Sequence, residues 1–164
     1  MAYITPQDTI QIQRFIAEWI NSNLDDPYII STGRTRLTLA TTDDFRLQKL
    51  FPIIQIDSDN FSPTKITQAK KANYLEEEEH NLMIYYVCKK GQAYTFADND
   101  LQLSGEAQVI KYLQYIRTQI KENITYFNTY FNRATFGTIS KPVFNKLTSL
   151  YVSRIPLTVY TYRR

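Results

Sequence analysis

Residues 81–90 constrain the fold most, because they contain a continuous run of apolar residues. In an extended segment, successive side chains point to opposite faces, so both faces of this one would be apolar. Such a strand is typical of the middle of a sheet that is covered on both sides. The pattern therefore predicts a central strand, and the turn at Gly91 ends it. One face carries Leu82, Ile84, Tyr86 and Cys88, and the other carries Met83, Tyr85 and Val87.

Two further segments have the spacing of amphipathic helices. Residues 6–23 follow Thr5, a favourable N-cap, and residues 104–122 open on Ser104, another capping residue. Apolar residues recur in both at three- and four-residue intervals, which predicts one buried stripe on each helix. The stripes are Ile12, Phe15, Ile16, Trp19 and Ile20 in the first helix, and Val109, Tyr112, Leu113, Ile116 and Ile120 in the second.

The remaining segments predict shorter strands and one long loop. Residues 150–162 alternate regularly, although Pro156 favours an edge strand or a bulge. Residues 57–80 are polar with little periodicity, which predicts a long polar loop or a partly ordered hairpin. We therefore predict one α+β domain over residues 1–164, an antiparallel-rich sheet with two main helices packed on it. Shorter strands are predicted over residues 28–30, 36–40 and 50–56.

Residue types exclude most site chemistry. The chain has one Cys and one His, so it can build neither a Cys/His zinc site nor a disulfide. Cys88 lies in the apolar strand and is predicted to be a buried thiol. His80 follows Glu76–Glu79 and is predicted to be solvated rather than a catalytic base. We expect no enzymatic activity, no cofactor and no metal.

Charge is distributed unevenly along the chain. Residues 1–82 contain 8 Lys/Arg and 12 Asp/Glu, whereas residues 83–164 contain 11 Lys/Arg and 4 Asp/Glu. This asymmetry is typical of a nucleic-acid face, of oppositely charged surfaces that meet in an oligomer, or of a merely solvated face. Aromatic residues near basic ones could stack bases, or could form a packed helical turn or the two faces of a sheet. They are Tyr126, Phe127, Tyr130 and Phe131, near Lys121, Arg133, Lys141 and Lys146.

The order of elements resembles that of the tail terminator, or neck, proteins of long-tailed phages. The segment Phe51–Ile56 resembles the proline-initiated strand that follows their first helix. Tyr151 and Arg154 match the aromatic–x–x–Arg step that precedes their final strand, and residues 155–162 match that strand. The resemblance is best over residues 81–123 and 150–162.

The resemblance implies a structural virion protein without an active site. Proteins of this family form a ring, usually a hexamer, on the last ring of the tail tube. The ring stops polymerisation of the tube and presents the surface that joins the head. The implied partners are the chain itself, the tail tube protein and a head-completion or connector protein, with DNA only passing through the lumen. The predicted interface residues are Glu76, Glu77, Glu78, Glu79, Lys89, Lys90, Arg154, Arg163 and Arg164.

Two alternatives remain open at this stage. The chain could be another head–tail connector or tube-capping protein, or a small nucleic-acid-binding accessory protein. Its first residues lack the regions of a signal peptide, and no stretch is long and apolar enough for a membrane span. We therefore expect synthesis in the host cytoplasm, a final location in the virion, and no membrane partner.

Overall fold

The structure, a computed structural model, describes residues 9–23, 52–58, 65–67, 76–96, 101–127, 131 and 133–163. The helices are α1 (Thr9–Asn23), α2 (Gly105–Glu122) and the short α3 (Ile124–Phe127). The strands are β1 (Ile53–Ser58), β2 (Lys65–Thr67), β3 (Glu76–Lys89), β4 (Tyr94–Phe96), β5 (Leu101–Leu103), β6 (Arg133–Phe136), β7 (Val143–Asn145) and β8 (Leu150–Arg163). Helices and antiparallel strands occur together, so the predicted α+β fold class is confirmed.

The main sheet is built around β3, as its sequence pattern predicts. Its order is β1-β3-β8-β6, with β2 also paired to β3 and β7 also paired to β8. All of these pairings are antiparallel. Ile84 and Tyr86 are buried on one face of β3, and Tyr85 and Val87 are buried on the other. The prediction of a central strand that is covered on both faces is therefore confirmed.

Helices α1 and α2 bury their predicted stripes on one face of this sheet. Helix α2 contacts β3 and β8, and α1 contacts β1. In α1, Trp19 is buried and its ring centre lies 4.8 Å from that of Phe127, while Phe15 is partly buried. In α2, every residue of the predicted stripe is buried. The 3.6-residue periodicity thus identifies the core-facing side of both helices correctly.

Pro156 lies inside the sheet rather than on an edge, because β8 has neighbours on both sides. Its carbonyl accepts a hydrogen bond of 2.9 Å from the Gly137 N–H, in the gap between β6 and β7. The nitrogen and carbonyl of one strand residue point to the same side, so the missing N–H faces that gap and β3 loses no ladder bond. A Cβ at Gly137 would meet the Pro156 ring at 2.9 Å, so only glycine permits this approach.

The prediction of a long polar loop over residues 57–80 is wrong at three places. The antiparallel pairing of β2 with β3 agrees instead with the alternative of a partly ordered hairpin. Asp57 and Ser58 end β1, Lys65–Thr67 form β2, and Glu76–His80 begin β3. Glutamate has a low strand propensity, but the backbone of this segment pairs with β2 on one side and β8 on the other. Tertiary pairing therefore overrides local preference here. The strands predicted over residues 28–30 and 36–40 lie outside the described residues.

Candidate functional site

Two of the four glutamates at the start of β3 have basic residues opposite them within the same chain. In the strand register, Glu76 is opposite Arg163 of β8, and Glu79 is opposite Lys65 of β2. Glu78 is buried on the core side of the sheet. The register therefore places basic positions opposite Glu76 and Glu79, and the acidic segment is part of the sheet rather than a solvated loop.

A buried polar cluster, consisting of Thr9, Glu78, His80 and Thr161, lies where α1 begins over the ends of β3 and β8. The Oγ1 of Thr9 lies 2.9 Å from Nδ1 of His80, and the Oγ1 of Thr161 lies 3.1 Å from Nε2. The Oε2 of Glu78 lies 3.7 Å from the same Nε2, so the two groups form an ion pair when the ring is protonated. The prediction that His80 is solvated is wrong, because its exposed fraction is 1%.

The polar cluster contains residue types that occur in catalytic pairs, a hydroxyl beside an imidazole. Its burial argues against that use, since the exposed fractions of Thr9, His80 and Thr161 are 2% or less. What the geometry provides is a bridge, because the two ring nitrogens link helix α1 to strand β8. The strand period could have indicated this position: His80 is two residues before Leu82 and so shares its core-facing side.

The predicted basic interface residues Lys89 and Lys90 lie at the opposite end of β3, where both are exposed. At about 3.3 Å per residue, the 14-residue strand separates Glu76 from Lys89 by about 43 Å. The predicted interface residues therefore form two groups rather than one site. Arg154 is exposed on the outer side of β8, and Arg164 lies outside the described residues.

Lys89 and Lys90 belong to a surface that we call the basic tip, which comprises residues 89–92 and 140–152. Its two turns are joined by a hydrogen bond of 2.9 Å from the Lys90 N–H to the Ser149 carbonyl. Lys146 is also exposed, and two apolar side chains lie beside it: Leu147 is 95% exposed and Val143 is 62% exposed. No acidic residue occurs in either segment. Sequence analysis missed Leu147 and Val143, because periodicity does not identify single exposed apolar residues in turns.

The aromatic residues near Lys121 and Arg133 form part of the core. Phe127 and Phe131 are buried and stacked on each other, with ring centres 5.4 Å apart. Tyr126 is exposed, but its ring stacks on that of Phe15, with ring centres 6.0 Å apart. Tyr126 and Phe127 lie in helix α3, which agrees with a helical turn, and two of the four proposed base-stacking rings, Phe127 and Phe131, have no exposed face. Tyr130 lies outside the described residues.

The thiol of Cys88 is buried next to the basic tip, as predicted. Burial raises its pKa from 9.0 to about 12, and the hydrogen bond that Sγ donates to the Gly105 carbonyl only partly opposes this effect. The thiol is therefore protonated and unreactive at neutral pH.

The described ranges lack both the side-chain groups of a metal site and a helix that could span a membrane. They contain no group of three or more His, Cys, Asp or Glu side chains that could hold a metal ion. No helix in the described part of the chain has the length and apolar character needed to cross a membrane.

No protein-family model matches the chain, and no curated protein matches it. The resemblance to phage tail terminators therefore stays an expectation that rests on the sequence features given above.

Proposed function

We propose that this chain is a structural virion protein similar to phage tail terminators. In this proposal it assembles with itself into a ring at the head-proximal end of the tail tube. The ring ends tube polymerisation and presents the surface that joins the head. The observation that carries the proposal is the basic tip, a surface on which exposed lysines and exposed apolar side chains occur together.

The basic tip has the character of a protein-binding surface. Exposed Leu147 and Val143 give up contact with water favourably when a partner covers them. Within the described part of the chain, Lys89, Lys90 and Lys146 form no ion pair. Their charges are therefore available to attract an acidic partner at long range and to orient it.

The charge balance of the whole chain supports assembly with itself. A ring needs contacts between two different faces of one subunit. Residues 1–82 contain 12 Asp/Glu and 8 Lys/Arg. Asp57 and Glu78 are buried, and the other acidic residues could supply the acidic face that meets the basic tip of a neighbour. Each exposed pair contributes only about 0–1 kcal/mol, so several must act together.

The test is the assembly state of the purified protein at low and high salt, measured by sedimentation equilibrium and electron microscopy. We expect a ring that weakens as salt rises and when Lys89 and Lys90 are both changed to Glu. The matched control changes the exposed Lys121 and Arg133 to Glu. This variant alters the net charge equally, but outside both the basic tip and residues 1–82. This control is expected to assemble like the unmodified protein.

Two results would contradict the proposal. One is a protein that stays monomeric at all concentrations and salts. The other is a monomer that binds DNA with a steep salt dependence, which would favour the alternative of a nucleic-acid-binding accessory protein.

A further inference from the structure

We infer that the basic tip is one side of a head-to-tail contact between two copies of this chain, and that Leu147 is its apolar anchor. The inference rests on the proposed function, since this contact is the one that would build the ring. It adds which side chain provides the contact, what holds that side chain in place, and which part of the second copy it meets.

The turn that carries Leu147 is fixed by its own hydrogen bonds. The Oδ1 of Asn145 accepts from the Leu147 N–H at 2.9 Å and from the Thr148 N–H at 3.3 Å. The Asn145 carbonyl accepts from the Ser149 N–H at 2.8 Å, and Ser149 has a φ of 57°, a left-handed conformation. Asn145 thus supplies the side-chain acceptor typical of an Asx turn. Leu147 is therefore presented to solvent by an ordered backbone, which lowers the entropy lost on binding.

The basic tip is also tied to the core behind it. The ring of Phe144 lies 4.6 Å from that of Tyr151, and the Nζ of Lys90 lies 5.5 Å from the centre of the Phe144 ring. The hydrogen bond between Lys90 and Ser149 joins the turn at Lys90 to the turn at Leu147. Both turns are therefore expected to dock as one rigid surface.

Charge identifies the occupant as the acidic half of a second copy. A two-fold contact of the basic tip with itself would bring together all four lysines of each copy, and no acidic residue of residues 89–92 or 140–152 could offset them. The contact must then be heterologous, with the basic tip against a different surface. Residues 1–82 carry the excess of negative charge, so that half of the neighbour is the complementary partner.

The first experiment measures self-association of Leu147→Ser, which removes the apolar anchor without changing the charge. We expect its dissociation constant to rise about ten- to hundredfold, the effect of losing one buried leucine side chain. Tyr126→Ser is the matched control, since Tyr126 is exposed and lies outside both the basic tip and residues 1–82. Asn145→Ala keeps the contact surface but removes the acceptor of the turn, so it should weaken association by a smaller factor. Thermal melts should show that all three variants are folded.

The second experiment locates the partner surface by placing a photo-crosslinking amino acid at position 147. Crosslinks between copies are expected to map to residues 1–82 of the second copy. Crosslinks to residues 83–164, or unchanged association of Leu147→Ser in a protein that does form rings, would overturn this inference and leave the proposed function standing. A protein that never self-associates would overturn both. Binding of that monomer to phosphatidylserine vesicles, lost in Leu147→Ser, would instead assign the basic tip to an anionic lipid surface.

Discussion

The two ends of β3 contrast in what they bury and what they expose. At one end the polar cluster encloses His80 and Glu78, charged or polar residues that sequence analysis expected in water. At the other end Leu147 and Val143 are in water, although both are apolar. The exposure of these residues is therefore decided by their position on a strand or turn, and not by residue type alone.

The two ends also differ in what their exposure makes possible. Buried polar groups must be hydrogen-bonded to avoid a large desolvation penalty, and the ring of His80 contacts Thr9 and Thr161 in this way. Such an arrangement stabilises one conformation. Exposed apolar side chains beside lysines contribute little to the stability of a single subunit, and their energetic value is realised only on binding. We therefore expect substitutions at the polar cluster to change folding, and substitutions at the basic tip to change assembly.

The largest expected effect is on the packing of α1 beside the polar cluster. Trp19→Ala removes a side chain that is 6% exposed and that packs on Phe127. The cavity should lower the free energy of unfolding by about 3–5 kcal/mol. Denaturant unfolding measures this, and Leu147→Ala at the basic tip is the matched control, expected within about 0.5 kcal/mol of the unmodified protein. Equal losses in the two variants would remove the distinction between a buried and an exposed end.

A somewhat smaller effect is expected from His80→Ala. The substitution leaves the hydroxyls of Thr9 and Thr161 without their ring partner in a buried environment, and should cost about 2–4 kcal/mol. His80→Gln retains hydrogen-bonding atoms and should recover part of that loss. Lys90→Ala, at the exposed end, should leave stability unchanged. If His80→Ala unfolded at the same denaturant concentration as the unmodified protein, the polar cluster would have no structural role.

The sequence predicts those parts of the fold whose apolar residues recur periodically. Helices α1 and α2 and the central strand repeat their apolar residues over many positions, so packing and local pattern agree. The strand character of Glu76–Glu79 depends on pairing with β2 and β8, which are distant in sequence, and no local pattern encodes it.

The position of Pro156 and the exposure of Leu147 also depend on contacts that no local sequence pattern encodes. Pro156 indicates an edge by its chemistry, but a gap between β6 and β7 accommodates it inside the sheet. The exposure of Leu147 depends on the hydrogen bonds of Asn145, a single residue in a turn. The sequence segment Asn145–Ser149 does contain residues typical of turns, so the turn could have been predicted but not the side chain it presents.

The smallest expected effect is the pH dependence of stability that arises from the Cys88 thiol. Cys88 is the last buried residue of β3, and the basic tip begins at the next residue, Lys89. The pKa of the Cys88 thiol is about 12 in the folded protein and 9.0 without burial, so the unfolded chain loses this proton first as the pH rises. The thiol's contribution to stability is therefore complete below about pH 9 and is lost progressively up to about pH 12. Between pH 8 and pH 10 we expect a loss of about 1.4 kcal/mol from this group. Denaturant unfolding of the unmodified protein and of Cys88→Ala at both pH values isolates it, because tyrosine ionisation affects both proteins alike. An equal pH dependence in the two proteins, or rapid alkylation of Cys88 by iodoacetamide at pH 8 in the folded state, would extend the exposed surface of the basic tip inward to include Cys88.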